Sequence, residues 1–212
     1  RVQDSTLSQN IILQNSLARA FLQKNQPELA IDQLRATEVD TLAESGRNRH
    51  LGSRYQLWGD ALFLQQRYSE ALGYYQSAII QFDYDFSDTT VLNNPRNFTA
   101  AFSNFSLFGS LTSKARCLEL LYETNQSRQY LNAVIDTYQS AFRMADYVNK
   151  WFDNQEARLF LSDQVFPAYQ SAVSFAIERY EQHQDQAYLQ LAFRWAEQSK
   201  ANALSAAIQD SN

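Results

Sequence analysis

The chain repeats itself, and it does so with two different periods. Displaced by 41 residues, Leu17 falls on Trp58, Ala18 on Gly59, Phe21 on Leu62, Ala30 on Ala71 and Leu34 on Tyr75. In the second half a displacement of 58 carries Tyr122 onto Tyr180, Glu123 onto Glu181, Gln126 onto Gln184, Tyr130 onto Tyr188 and Leu131 onto Leu189. Periods of this length mark repeat architectures, in which each unit buries its apolar face against its neighbour. The period inside each unit is helical. Leu131, Val134, Ile135, Tyr138, Ala141, Phe142, Ala145, Val148 and Phe152 follow one another by three or four and define an amphipathic helix. Only five glycines and three prolines occur in 212 residues, so turns are few and elements long. The expected class is all-α.

Punctuation divides the chain into eight helices in four antiparallel pairs. Ser5 and Thr6 can cap a first helix, Asn25-Gln26 ends it, and Pro27 suits the first turn of the next. Further helices are expected near 50–66 and 68–83, 101–125 and 128–150, and 154–183 and 186–209. The hairpins then occupy about 5–43, 48–83, 101–150 and 154–209 of one repeat domain spanning 1–212. Asp83 to Asn97 lacks helical period and carries an Asn-Asn-Pro turn, which makes 84–100 an ordered connection packed down by its own aromatics. Pro167 sits inside the seventh helical pattern, where it cannot bond the Asp163 carbonyl, and predicts a kink. The distance from Ala115 to Val134 is nineteen positions where the first pairs use twelve, so the helices of the later pairs should be about two turns longer.

In the first two pairs a small residue, Ala18 or Gly59, follows a large one, Leu17 or Trp58, and a second small residue, Ala30 or Ala71, comes twelve positions later. Small side chains let antiparallel helices approach, and the large neighbours fill the space towards the next pair. Tyr55, Trp58, Gly59, Leu62, Ala71, Tyr75 and Ala78 resemble the tetratricopeptide repeat, without the proline usual after its second helix. A second resemblance covers nearly the whole chain. The helical repeats, the Asp-Phe-rich connection with Asn94-Pro95, the Leu121-Tyr122-Glu123-Thr124 helix end and the run from Phe193 to Ala201 are similar to the repeat region preceding a caspase-like CHAT protease domain in bacterial proteins. These resemblances imply a right-handed superhelical solenoid that binds polypeptide and governs a protease domain beyond Asn212.

Chemistry of its own is not expected of the chain. A caspase-like dyad would have to come from Cys117, His50 and His183, and Cys117 lies among Leu118, Leu120 and Leu121 as a buried hydrophobe would. His50 falls at a helix start and His183 at a polar helix end, both read as solvated. Glu178 and Glu181 form a lone acidic pair, so no metal site or cofactor is expected. The Asn-X-Ser/Thr triplets at Asn97, Asn104 and Asn125 are read as incidental. A net charge of -5 offers no basic field to nucleic acid. The uncharged run between Arg96 and Lys114 is too short and polar to span a membrane. The chain carries no legible address, with the cytoplasm weakly favoured over the periplasm.

The expected function is therefore protein–protein interaction through a groove lined by the first helix of each pair. Asn15, Arg19, Gln23, Gln56, Asp60 and Phe63 lie away from the packing seams and are the candidate peptide-binding residues. Only Asn15 and Arg19 resemble the Lys and Asn clamp of repeats that hold chaperone C-termini. Self-association through exposed Phe82, Tyr84 and Phe86, or through an uncovered last helix, is the alternative.

Overall fold

The computed structural model describes residues 2–36, 46–102, 104–151 and 160–209. These residues form eight α-helices, with no strand among them: α1 Val2–Gln23, α2 Pro27–Arg35, α3 Arg49–Leu64, α4 Tyr68–Phe82, α5 Asn104–Asn125, α6 Arg128–Trp151, α7 Phe166–His183 and α8 Gln186–Gln209, with a π-helical turn, Leu161–Val165, before α7. Two compact units divide the chain, Arg1–Ser140 and Ala141–Asn212. Several expected boundaries move. α1 begins at Val2, so Ser5 and Thr6 lie inside the helix instead of capping it, and α5 begins at Asn104 rather than near 101. The end of the first hairpin, 37–45, and the expected helix start at 154 lie outside the described residues.

All four hairpins turn on a residue in the left-handed backbone region, and none of the four is glycine: Asn25 (φ 56°), Gln66 (60°), Gln126 (52°) and Gln184 (55°). The two sequence periods reappear as two turn types. In the first pair of hairpins, Gln26 N–H donates to Phe21 O at 2.9 Å and Asn25 N–H to Leu22 O at 2.9 Å, and 41 residues on, Arg67 and Gln66 donate to Leu62 O and Phe63 O at the same 2.9 Å. Those paired bonds make a Schellman motif. In the second pair of hairpins, Gln126 N–H donates to Tyr122 O and Gln184 N–H to Tyr180 O, both at 2.7 Å. Each glutamine side chain then donates back, to Glu123 O or Glu181 O, at 3.0 Å. The side-chain bond offsets part of the cost of placing a non-glycine residue there.

In the first unit, α1 and α2 pack on α3, and α4 lies between α3 and α5. Ala18, Ala30, Leu34 and Leu57 make a buried cluster, with Phe21, Leu22 and Trp58 against it. Trp58 stacks on Tyr74, with centroids 5.3 Å apart, and carries the Arg35 guanidinium 5.7 Å from its ring. Trp58 thus fills space towards the preceding hairpin, not towards the next one as the repeat pattern predicts. Its counterpart Leu17 stays 41 % exposed, since no hairpin of the described chain lies before it. The α3–α4 seam depends on two glycines seven residues apart: a Cβ on Gly52 would lie 2.5 Å from the Phe82 ring, and one on Gly59 2.6 Å from the Tyr75 ring. Phe82 is accordingly buried, which removes it from the exposed aromatics expected to drive self-association, whereas Tyr84 is 60 % exposed. Asn48 caps α3, accepting from His50 N–H at 2.8 Å. His50 is half-buried rather than solvated, and its imidazole is held below the usual pKa, first by desolvation and then by Arg49. His183 is exposed at the end of α7.

The connection from Tyr84 to Ala100 carries no helix, and a buried cation holds it to its neighbours. Lys114 of α5 is completely buried, and its ammonium donates to Gln76 Oε1 (2.6 Å), Asn93 O (2.7 Å) and Asn94 Oδ1 (2.9 Å). All three ammonium hydrogens are matched by neutral oxygens. Burial draws the lysine pKa down to about 7, against the opposing pull of the Asp88 carboxylate. Gln76 also donates to Asp88 O at 2.6 Å, Asn94 donates to Thr137 Oγ1 at 3.0 Å, and Ser140 Oγ donates to Pro95 O at 2.6 Å. Helices α4, α5 and α6 therefore all hold the connection. Helices α5 and α6, with 22 and 24 residues, exceed α3 and α4, with 16 and 15, by about the expected two turns, but α1 of the first pair already has 22 and α7 of the fourth only 18.

The second unit is built around Phe142, Tyr169 and Trp195. Phe142 stacks on Tyr169 at 3.8 Å and meets Trp195 edge-on at 5.7 Å. Buried Asn202 donates to Asp146 Oδ1 (3.2 Å) and Tyr169 Oη (3.3 Å), and Gln198 donates to Asp146 Oδ2 (2.8 Å). Within the run from Phe193 to Ala201, Trp195 is core and Phe193 is 67 % exposed. Pro167 breaks the regular ladder as expected. The chain widens to π-helical spacing over Leu161–Val165 and restarts as α7 with the proline in its first turn, where a missing N–H leaves no partner wanting.

Candidate functional site

One pocket gathers predicted groove residues. It opens in the first unit with a cavity volume of about 270 Å³, lined by Asp60, Phe63 and Leu64 of α3, Tyr75 of α4, and Ser113 and Arg116 of α5. Helical geometry brings these residues together. Asp60, Phe63 and Leu64 are spaced by three and four along one face of α3, and Ser113 and Arg116 by three along α5. Tyr75 reaches the site because Gly59, the residue before Asp60, leaves room for its ring.

Tyr75 Oη donates to Asp60 Oδ1 at 2.9 Å, and Ser113 lines the pocket beside them. Asp60 Oδ2 has no hydrogen-bond partner among the described residues. Desolvation raises the Asp60 pKa to about 6, with the Tyr75 hydrogen bond and the Arg19 charge acting in the opposite direction. The Tyr75 phenol is pushed far above its ordinary range, by burial first and then by the neighbouring Asp60 charge. Arg116 is exposed at the pocket, with its guanidinium 5.7 Å from the centre of the Phe63 ring, and the Tyr68 ring packs edge-on against Phe63 with centroids 5.3 Å apart. A carboxylate with an open oxygen, an apolar wall and a solvated cation at the rim suit the binding of a polar, flexible side chain.

The six predicted residues separate. Asp60 and Phe63 line the pocket, and exposed Arg19 acts on Asp60 electrostatically from α1. Asn15 is buried, and its amide donates to His50 O at 2.9 Å, joining α1 to the start of α3. Gln56 is half-buried, with its amide 3.2 Å from where a Cβ on Gly109 would stand, and Gln23 is exposed at the end of α1. Leu64, Tyr75, Ser113 and Arg116 were not among the six. Tyr75 reads as a core aromatic at a repeat position, which it also is. Ser113 and Arg116 are an i,i+3 pair among several polar residues between Leu111 and Leu121, with Thr112, Lys114 and Glu119, so nothing in the sequence singled them out.

Cys117, one residue beyond Arg116, is completely buried, and its thiol donates to Tyr68 O at 3.0 Å. Burial pushes its pKa up to about 12, the opposite of an activated nucleophile. Among the described residues no group of three or more His, Cys, Asp or Glu could hold a metal ion, and no helix is long and apolar enough to cross a membrane. No protein-family model matches the chain, and neither a curated protein nor a solved structure matches it.

Proposed function

We propose that this chain is a tetratricopeptide-like interaction module, a helical-hairpin solenoid without catalytic activity that binds a polypeptide on the face where α3 and α5 meet. The observation that carries this reading is the pocket itself, which draws Asp60 and Phe63 from one hairpin and Ser113 and Arg116 from the next. Repeat modules present side chains of successive first helices to an extended ligand in this manner. The resemblance to repeat regions of CHAT proteases makes a caspase-like domain of the same polypeptide the first natural partner to try. A peptide library displayed on phage and selected on the folded protein should yield binders whose NMR footprint includes Asp60, Phe63 and Arg116. Failure to enrich any sequence, or a footprint elsewhere, would overturn the proposal.

Self-association is favoured by a separate observation. Tyr84 and Phe102, 60 % and 38 % exposed, set their rings 4.7 Å apart on the surface. Sedimentation as a monomer at high concentration would remove that reading.

A further inference from the structure

We propose that the pocket selects lysine: the bound polypeptide inserts one lysine side chain whose methylenes lie against Phe63 and Leu64 and whose ammonium meets the open oxygen of Asp60. The proposal rests on the interaction-module reading and names what that site recognises.

The argument begins with which charge dominates. Asp60 is half-buried and Arg116 is exposed, so water screens the rim guanidinium far more than the carboxylate inside. A cation that reaches the interior therefore gains more from Asp60 than it loses to Arg116. The chain as a whole, at -5, also draws basic ligands towards it. The choice of lysine over arginine follows from the hydrogen bonds. A guanidinium binds best to both oxygens of a carboxylate, but Oδ1 of Asp60 already accepts from Tyr75 at 2.9 Å. One open oxygen suits a point charge, and a cavity of about 270 Å³ admits a four-carbon stem. At the rim, Arg116 is placed for an acidic residue of the same ligand.

Binding should then follow the ionisation of Asp60. The charged and titratable groups that face it are Arg19 from α1, Tyr75 from α4 and Arg116 from α5. Of these Tyr75 and Arg19 favour the carboxylate, while burial disfavours it and leaves the group titrating near pH 6.

The test uses fluorescein-labelled octapeptide pools with Lys, Arg, Leu or Glu at one central position and flanks drawn from Ala, Ser, Gly and Asn, read by polarisation. The Lys pool should bind at least tenfold more tightly than the Leu and Glu pools and more tightly than the Arg pool. Its binding should be lost as pH falls from 7 to 5. Asp60→Asn, which keeps an acceptor for Tyr75, should cut Lys-pool binding at least tenfold. Tyr75→Phe removes a hydrogen bond that favours the carboxylate and should move the midpoint of pH loss upward. Should Asp60→Asn fail to fold by circular dichroism, the midpoint shift decides. Equal binding of the Leu or Glu pool, an indifferent Asp60→Asn, or an unmoved midpoint overturns lysine selection and leaves peptide binding standing. Binding of no pool overturns both.

Discussion

Single buried groups set the terms at the residue scale. Lys114 gives its three hydrogens to three acceptors in a site without water exposure, and its pKa is drawn from the ordinary 10.5 to about 7. Between those values the unfolded chain binds more protons than the folded one, so this group makes stability rise with pH from about 7 towards 10.5. Chemical denaturation at pH 7 and pH 9 should show the rise, on the order of 2 kcal/mol, and Lys114→Met should abolish it. The same variant leaves Gln76 Oε1, Asn93 O and Asn94 Oδ1 without their donor and should cost roughly 3 kcal/mol at pH 7. Cys117 offers a simpler check at this scale. With the thiol buried and its pKa near 12, a maleimide should modify it only as the protein opens, so rapid labelling of the folded chain at pH 7.5 would contradict the structure.

Among the elements, the α3–α4 seam and the hairpin turns carry the specific geometry. Gly59 and Gly73 are both helical glycines, yet their surroundings predict opposite outcomes. Gly59 has the Tyr75 ring 2.6 Å from the site of a Cβ, whereas Gly73 has nothing within 4 Å. Gly59→Ala should lower stability by about 1–3 kcal/mol through overpacking and disturb the Asp60–Tyr75 bond. Gly73→Ala should raise it by about 0.5–1 kcal/mol through helix propensity. Thermal unfolding of the two variants provides the comparison. Much of this level was legible in the sequence. The spacing of apolar residues predicted the helices, and Asn25-Gln26 marked its turn. The left-handed glutamines at 66, 126 and 184 were not legible as such, because glutamine carries no general preference for that backbone region. Only its repetition at Gln126 and Gln184 hinted at a common role.

For the whole molecule, Asp60 and Lys114 impose a shared pH profile. A carboxyl raised to about 6 holds its proton in the folded state after the unfolded chain has released its own, so Asp60 makes stability fall as pH rises from about 4 to 6. Lys114 restores stability above 7. Together they place a trough in the stability curve near neutral pH, which Asp60→Asn with Lys114→Met should flatten. Asp60→Asn alone should be more stable than the parent at pH 7 by on the order of 1 kcal/mol, the mark of a residue kept for binding at the expense of the fold. A variant less stable than the parent would argue that Asp60 is structural.

What the sequence determined by itself was local and periodic: an all-helical chain, its eight helices, and the break at Pro167. Those follow from the spacing of apolar and small residues and from chain chemistry that acts within a few positions. What tertiary structure decided was which side chains meet across separate helices. Lys114 reads as an ordinary surface charge until Gln76, Asn93 and Asn94 close around it. Asp60 and Arg116 lie 56 positions apart in the chain and share one pocket only because Gly59 admits Tyr75 between them. Depth relative to solvent, which sets the charge state of both buried groups, belongs to packing and has no counterpart in a linear pattern.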